Sequence, residues 1–233
     1  QYASMSERVE RFVYASSGCS IYGDKGILPL TEDQISTYHT TPYQITKMLG
    51  ELYCNYFRHQ YGLPVVKTRF FNSYGPGEIP GQYRNVIPNF IYWALCGKPL
   101  IITGNPHATR DFAWVFDLVD ALLRSGYYHQ VIGQEYNLSG GREIEIGYLA
   151  EKVIEYTGST AGVVIGASRQ WDTKDRLLAS IDKAHSLIGY SPSMKFEEGL
   201  QITVKWFKDN WDLINKSAKF GPGVSSATRE VTR

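Results

Sequence analysis

The sequence predicts an α/β protein with a parallel sheet, and three observations carry that expectation. Apolar runs of strand length alternate with segments of helical periodicity along most of the chain. One strand, "RFVYASSGCS", ends in small hydroxyl side chains, and open α/β sheets bind ligands outside the carboxyl ends of their strands. Of 233 residues, 43% are hydrophobic and 20% charged, enough apolar material for one sizeable core or two small ones.

The elements follow in order. Residues 11–14 form a short apolar strand that runs into Ser16, Ser17, Gly18, Cys19 and Ser20, a stretch that reads either as a ligand-facing strand end or as a solvated turn. A polar, turn-rich segment reaches Thr41. In "PYQITKMLGELYCNYFRHQYG", Ile45, Met48, Leu49, Leu52, Tyr56 and Phe57 recur at helical spacing, and Gly62 ends that helix. Pro64 opens "VVKTRFFNSYGPG", a strand entering a Gly/Pro turn. Helix "NVIPNFIYWALCG", strand "PLIIT" and helix "VFDLVDALLRSGYY" come next. Strand "EYNLSG", helix "EIGYLAEKVIEYTG", strand "GVVIGA" and the closing amphipathic helix "FEEGLQITVKWFKDNWDLI" complete the pattern, with a disordered tail expected over 216–233.

Composition excludes several classes. A net charge of +1 gives no electrostatic reason for nucleic acid or an anionic membrane as partner. Cys19, Cys54 and Cys96 are odd in number and lack metal-ligand spacing, which fits a reducing cytoplasm and no metal site. No apolar run approaches the roughly 18 residues of a membrane span. The 17 tyrosines and 5 tryptophans suit a large core or stacking surfaces for sugars and bases.

"TTPYQITK" sets Tyr43 and Lys47 four apart at the start of a helix, on one face. A free tyrosine, with a pKa near ~10, is a poor base at neutral pH, and a neighbouring ammonium favours the phenolate. The pair suits proton transfer to or from a hydroxyl. Spacing alone does not specify it: Tyr148 and Lys152 repeat it in "GYLAEK", read as the exposed side of an amphipathic helix. Only Tyr43 follows a strand ending in Ser16, Ser17 and Ser20.

"RFVYASSGCSIYGD", "TPYQITKMLGELY", "VKTRFFNSYGPG", "NVIPNFIYWALCGKPL" and "TRDFAWVFDLVDALL" together resemble consecutive motifs of the extended short-chain dehydrogenase/reductases, in the branch of NAD-dependent nucleotide-sugar epimerases and dehydratases. The resemblance extends to about Leu213. It implies the C-terminal portion of a Rossmann-like doubly wound parallel sheet plus a smaller α/β substrate-binding domain. Residues 1–78 are then the remnant of the NAD-binding domain, and 79–215 mainly the nucleotide-sugar region, with 111–140 returning to the Rossmann sheet.

The resemblance also implies roles. Tyr43 is the base, Lys47 lowers its pKa and binds the nicotinamide ribose, and a strand-end hydroxyl bonds the reacting sugar oxygen. Many members carry that hydroxyl four before the tyrosine of "YG", here Gly18. A subgroup with Ser/Thr-Gly-Gly-Ala-Ile/Val-Tyr-Gly carries it one earlier, which favours Ser17 over Ser16 and Ser20. Ser16 and Phe70 fall on the cofactor side. Asn72, Asn85, Val86 and Arg110 fall on the sugar and phosphates, where helix-terminal N–H groups and a guanidinium fork suit an anion. Arg169 and Asp172 fall on the distal phosphate and ribose. Read without the family, Asn72 caps a turn and Arg110 pairs with Asp111 or Asp117.

The family's first strand and Gly-x-x-Gly-x-x-Gly turn, which hold the NAD pyrophosphate, have no counterpart in the sequence; "GPGEIPGQ" lacks the flanking strand and helix. The expectation is an unpaired sheet edge and a chain inactive by itself. The activity implied is a 4-epimerase-like reaction on a nucleotide-diphosphate sugar, by a homodimer when complete. The acidic pair that dehydratases carry at the strand end is replaced by Gly18, Cys19 and Ser20. A dehydratase, decarboxylase, ketoreductase or non-catalytic nucleotide-sugar-binding module is the alternative.

Overall fold

The structure, a computed structural model, describes residues 2–220 except Glu7, Lys25, Tyr83 and 169–173. Its elements are β1 (Phe12–Ser17), α1 (Gly18–Ile21), α2 (Pro42–Tyr61), β2 (Val65–Phe70), β3 (Asn72–Tyr74), α3 (Val86–Leu95), β4 (Leu100–Thr103) and β5 (Thr109–Trp114). They continue with α4 (Val115–Tyr127), β6 (Glu135–Leu138), β7 (Glu143–Glu145), α5 (Ile146–Thr157), β8 (Val163–Gly166), α6 (Asp182–Ile188), α7 (Phe196–Asp209) and α8 (Trp211–Ser217). The chain folds as two compact units.

The first unit comprises Gln1–Ser73, Asp111–Glu143 and Leu177–Ser193. Its sheet is parallel throughout, in the order β1-β2-β6. β2 is central and buried along nearly its whole length, as expected of a parallel strand covered on both faces. On one face, Phe12, Tyr14 and Val65 pack with Cys54, Phe57 and Leu63 at α2. Gly50 permits this approach: a Cβ there would lie 1.9 Å from the Tyr14 hydroxyl oxygen. On the other face, Val66, Tyr136 and Leu138 pack with Leu118 and Ala121 of α4 and with Ala184 and Ile188 of α6. A Val, Leu or Ile side chain among them contributes about 1.5–3 kcal/mol when fully buried.

Local chemistry fixes the ends of α2. Thr41 is its N-cap in a reciprocal capping box: the Gln44 N–H donates to the Thr41 hydroxyl, the Thr41 N–H donates to Gln44 Oε1, and Pro42 opens the first turn. Gly62, at φ 66°, closes the helix in the left-handed conformation that glycine adopts at least cost. Among the described residues no strand pairs with the outer edge of β1, where the sequence leads one to expect an open edge.

The second unit comprises Tyr74–Arg110, Ile144–Arg176 and Met194–Arg233. Its core is helical: Ile87, Phe90, Ile91 and Trp93 of α3, Leu149 and Val153 of α5, and Leu200, Val204 and Phe207 of α7 are all buried. β4 and β8 form a parallel pair beside it.

The chain passes between units at 73/74, 110/111, 143/144, 176/177 and 193/194. The sequence reading leaves 177–193 with the substrate region, whereas the structure gives it to the first unit, because Ala184 and Ile188 of α6 cover Tyr136 and Leu138. The expected closing helix is two helices. Asn210, at φ −115° and ψ 25°, interrupts it, and its side-chain amide donates to the Trp206 carbonyl, a local bond that competes with continued helix. Residues 216–219 of the expected tail are structured: α8 runs to Ser217 and Lys219 bridges to Gly81. The rest of the expected tail, from 221, lies outside the described residues.

Candidate active site

The carboxyl end of β1 turns directly into α1. Ser17 is the last strand residue, and its hydroxyl lies 3.1 Å from that of Ser20, both buried. The two hydroxyls are one hydrogen-bonded pair, so the geometry assigns neither the sugar contact alone. Gly18 stands between them because a Cβ would lie 2.0 Å from the Phe71 ring. A hydroxyl side chain at that position has no room here. Cys19 directs its sulfur at Asn72 Oδ1, 3.7 Å away.

Tyr43 lies in the first turn of α2 and is 57% exposed. One turn on, the Lys47 ammonium sits 5.6 Å from the centroid of the Tyr43 ring and 5.8 Å from that of Tyr14. It donates to the Ala15 carbonyl at 2.9 Å. Lys47 is thereby anchored on β1 while covering one face of the Tyr43 ring. Tyr14 is held above the ordinary phenol range, first by burial and then by the nearby Cys54 and Glu51.

The second Tyr-Lys pair differs where spacing cannot show it. Lys152 also lies 5.6 Å from the ring of Tyr148, but its ammonium pairs with Glu155 at 2.7 Å. The Tyr148 hydroxyl donates to Glu197 at 3.1 Å, on a half-buried rather than an exposed side chain.

Ser16 lies 2% exposed and donates to Glu51 Oε1 at 2.6 Å. Phe70 is the register partner of Ser17 and packs on the core. Asn72 donates to the Asp111 carbonyl at 3.0 Å. The fully buried Asp111 carboxyl is pushed up to about 6 by burial, against hydrogen bonds from the N–H groups of Ala179 at 3.1 Å and Gly140 at 2.8 Å.

In the second unit, Asn85 is the N-cap of α3 and donates to Glu78 Oε1 at 3.0 Å. Val86 opens the helix, half-buried. Arg110 donates to the Thr109 carbonyl at 2.8 Å. Arg169 and Asp172 lie outside the described residues. The structure thus groups Ser16, Ser17, Tyr43, Lys47, Phe70 and Asn72 in the first unit, and Asn85, Val86 and Arg110 in the second. Among the described residues no helix is long and apolar enough to cross a membrane.

Sequence reasoning overlooks Glu51, Arg69, Tyr22 and Asn137, which form one buried polar network beneath the strand ends. A signal was available: "VVKTRFF" carries two cations in a strand otherwise built for burial.

Comparison with known proteins bears on this arrangement. The family model described as NAD dependent epimerase/dehydratase family matches residues 2–139, more than half of the chain. An epimerase structure from Methanothermobacter thermautotrophicus is 51% identical with a TM-score of 0.92, covering 94% of this chain and 65% of that one. A UDP-glucuronic acid 4-epimerase from Bacillus cereus, solved with UDP-glucuronic acid and NAD, is 27% identical with a TM-score of 0.79, covering 86% and 62%. A UDP-N-acetyl-alpha-D-glucosaminuronate decarboxylase from Bacillus cytotoxicus is 30% identical over 86% of this chain and 64% of its own length. The chain therefore spans under two thirds of the length of each of these proteins. On the matched span and the order of its motifs, the chain belongs to the NAD-dependent epimerase/dehydratase family.

Proposed function

We propose that this chain carries the proton-transfer side of a nucleotide-sugar 4-epimerase of the cytoplasm. The observation that supports it is the exposed Tyr43 with Lys47 over its ring, the ammonium tied to the β1 end at Ala15. One of the three N–H donors of Lys47 is directed at Ala15, and the Tyr43 hydroxyl is open, a donor set suited to the hydroxyls of a ribose and a sugar.

In this reading Tyr43, as phenolate, takes the proton of the sugar 4-hydroxyl, and Ser17 hydrogen-bonds the same oxygen. Lys47 favours the phenolate by its charge and holds the nicotinamide ribose. NAD, when bound, supplies the acceptor for the C4 hydride and its return to the opposite face of the turned 4-keto sugar. Phe70 lines the cofactor side, and the Ser16 hydroxyl is turned to Glu51. In the first unit Asn72 is a substrate contact; in the second unit Asn85, Val86, Arg110, Arg169 and Asp172 are the residues that the family resemblance gives to the nucleotide-sugar diphosphate. Gly18, Cys19 and Ser20 bring no carboxyl to the strand end, which favours epimerisation over elimination.

No glycine turn for the pyrophosphate occurs in these 233 residues, and the residues above suit only the nicotinamide end of the cofactor. The 233-residue chain by itself is therefore expected to bind NAD weakly and to turn nothing over. Isothermal titration reads this directly, and micromolar affinity refutes it.

We also propose a homodimer through α2. Ile45, Leu49, Leu52, Tyr53 and Tyr56 are about half exposed along one side of the helix, and the last four line a shallow cavity. Leu52→Glu should convert dimer to monomer in light scattering, with little change in helical content. A wild-type chain that is monomeric at high micromolar concentration rules this surface out.

A further inference from the structure

Three residues stand side by side across the sheet: Ser16 is in register with Arg69, and Arg69 with Asn137. The next row outward is Ser17, Phe70 and Leu138, at the strand ends. Nearer the opposite end, the α2-facing side is apolar, with Phe12 beside Val65. The face changes from hydrocarbon to polar at Lys67, which pairs with Glu135 and bonds Asn55 of α2, and the charge one residue below the candidate site is more deeply buried: Arg69 is 0% exposed and Glu51 3%.

The network is closely satisfied. Arg69 grips Glu51 with two parallel bonds, Nε to Oε1 at 2.9 Å and Nη2 to Oε2 at 2.8 Å. Ser16 donates to Oε1 as well, at 2.6 Å. Arg69 Nη1 donates to the Tyr22 hydroxyl at 3.1 Å and to the Glu32 carbonyl at 2.9 Å. Tyr22 donates to Asn137 Oδ1, and Asn137 donates on to the carbonyls of Leu30 and Ser180. Burial works against the charge of Arg69, but the bonds with Glu51 and Tyr22 outweigh it and hold the guanidinium cationic. Apolar residues often serve a purely structural core as well as a buried ion pair does, so what this pair connects is informative.

Glu51 lies one turn after Lys47 and two after Tyr43, on the same side of α2. Lys47 and Glu51 thus pin α2 to adjacent residues of β1, at Ala15 and Ser16. Tyr22 ends the short helix that carries Ser20. One guanidinium consequently indexes both the helix bearing Tyr43 and Lys47 and the turn bearing Ser17 and Ser20. We propose that Glu51 and Arg69 are positioning residues, whose buried fork, with Ser16 as its third member, sets the relative placement of Tyr43, Lys47 and the Ser17–Ser20 pair. The proposal rests on the reading of Tyr43 as base, and it gives Ser16 a task other than the cofactor contact that the family resemblance implies.

The test compares Glu51→Gln, Ser16→Ala and Tyr43→Phe in an enzyme that joins this chain to the family's pyrophosphate-binding segment, with turnover expressed per folded molecule, NAD affinity by titration and the isotope effect of a 4-deuterated UDP-sugar. Displacing reacting groups by about 1 Å costs up to ~10²-fold in rate. Glu51→Gln should lower kcat at least ~10-fold on that scale, raise the isotope effect and leave NAD and UDP-sugar affinities within about twofold. A loss of folded fraction alone leaves the isotope effect unchanged. Should Glu51→Gln fail to fold, Ser16→Ala decides, since it deletes one bond and leaves the ion pair; a lower kcat with a raised isotope effect and unchanged NAD affinity is expected. A drop in NAD affinity on Ser16→Ala, or an unchanged kcat and isotope effect in whichever variants fold, overturns the proposal while Tyr43→Phe remains inactive. An active Tyr43→Phe instead overturns the reading of the base itself.

Discussion

In an enzyme that joins this chain to the family's pyrophosphate-binding segment, Tyr43→Phe is expected to abolish most turnover, by about 10²-fold or more, the scale of a lost general acid–base group, while leaving the fold unchanged. The ring stays, its position over Lys47 stays, and only the exposed hydroxyl goes. Tyr148→Phe provides the control: it has the same spacing to a lysine and the same 5.6 Å ring distance, but its hydroxyl serves Glu197, and turnover should hardly change. At the strand end, Ser17→Ala should cost more activity than Ser20→Ala, although their 3.1 Å hydrogen bond makes some loss from Ser20 unavoidable. Equal losses for Tyr43→Phe and Tyr148→Phe, or a larger loss from Ser20 than from Ser17, would assign the chemistry to other residues.

Arg69→Met should produce the largest loss of stability of any single change considered. It leaves Glu51 buried at 3% exposure without its cation, and breaking a buried pair from one side costs about 3–5 kcal/mol. Adding Glu51→Leu to Arg69→Met should restore at least half of the loss, because an apolar replacement of both partners is often nearly neutral. Denaturant unfolding of the wild type, the single and the double variant measures this. A double variant no more stable than Arg69→Met disproves the account.

The fold class was legible because β2, buried along nearly its whole length, reads as an apolar run between helical segments, and because α2 announces both ends with Thr41, Pro42, Gln44 and Gly62. Less legible was the membership of 177–193 in the first unit, since no short-range pattern tells a seven-residue helix which of two cores its Ala184 and Ile188 will enter. The break at Asn210 was hidden for the opposite reason. Apolar spacing continues across it, and the break shows only in the backbone of Asn210, at φ −115° and ψ 25°, whose side chain bonds the Trp206 carbonyl.

For the candidate site, the sequence by itself determined the residue types and their order: hydroxyls at a strand end, then Tyr43 and Lys47 one helical turn apart. Spacing within one helix is a local property, so it survives in the string of letters. The tertiary structure alone decided which of two identical Tyr-Lys pairs docks its lysine on a strand carbonyl, and why Gly18 yields to Phe71. It alone joined Ser16, Glu51 and Arg69, residues 16, 51 and 69 in the chain, into one buried fork. Those outcomes depend on strand register and on how the helix seats over Gly50, contacts between segments far apart in sequence that no local periodicity records.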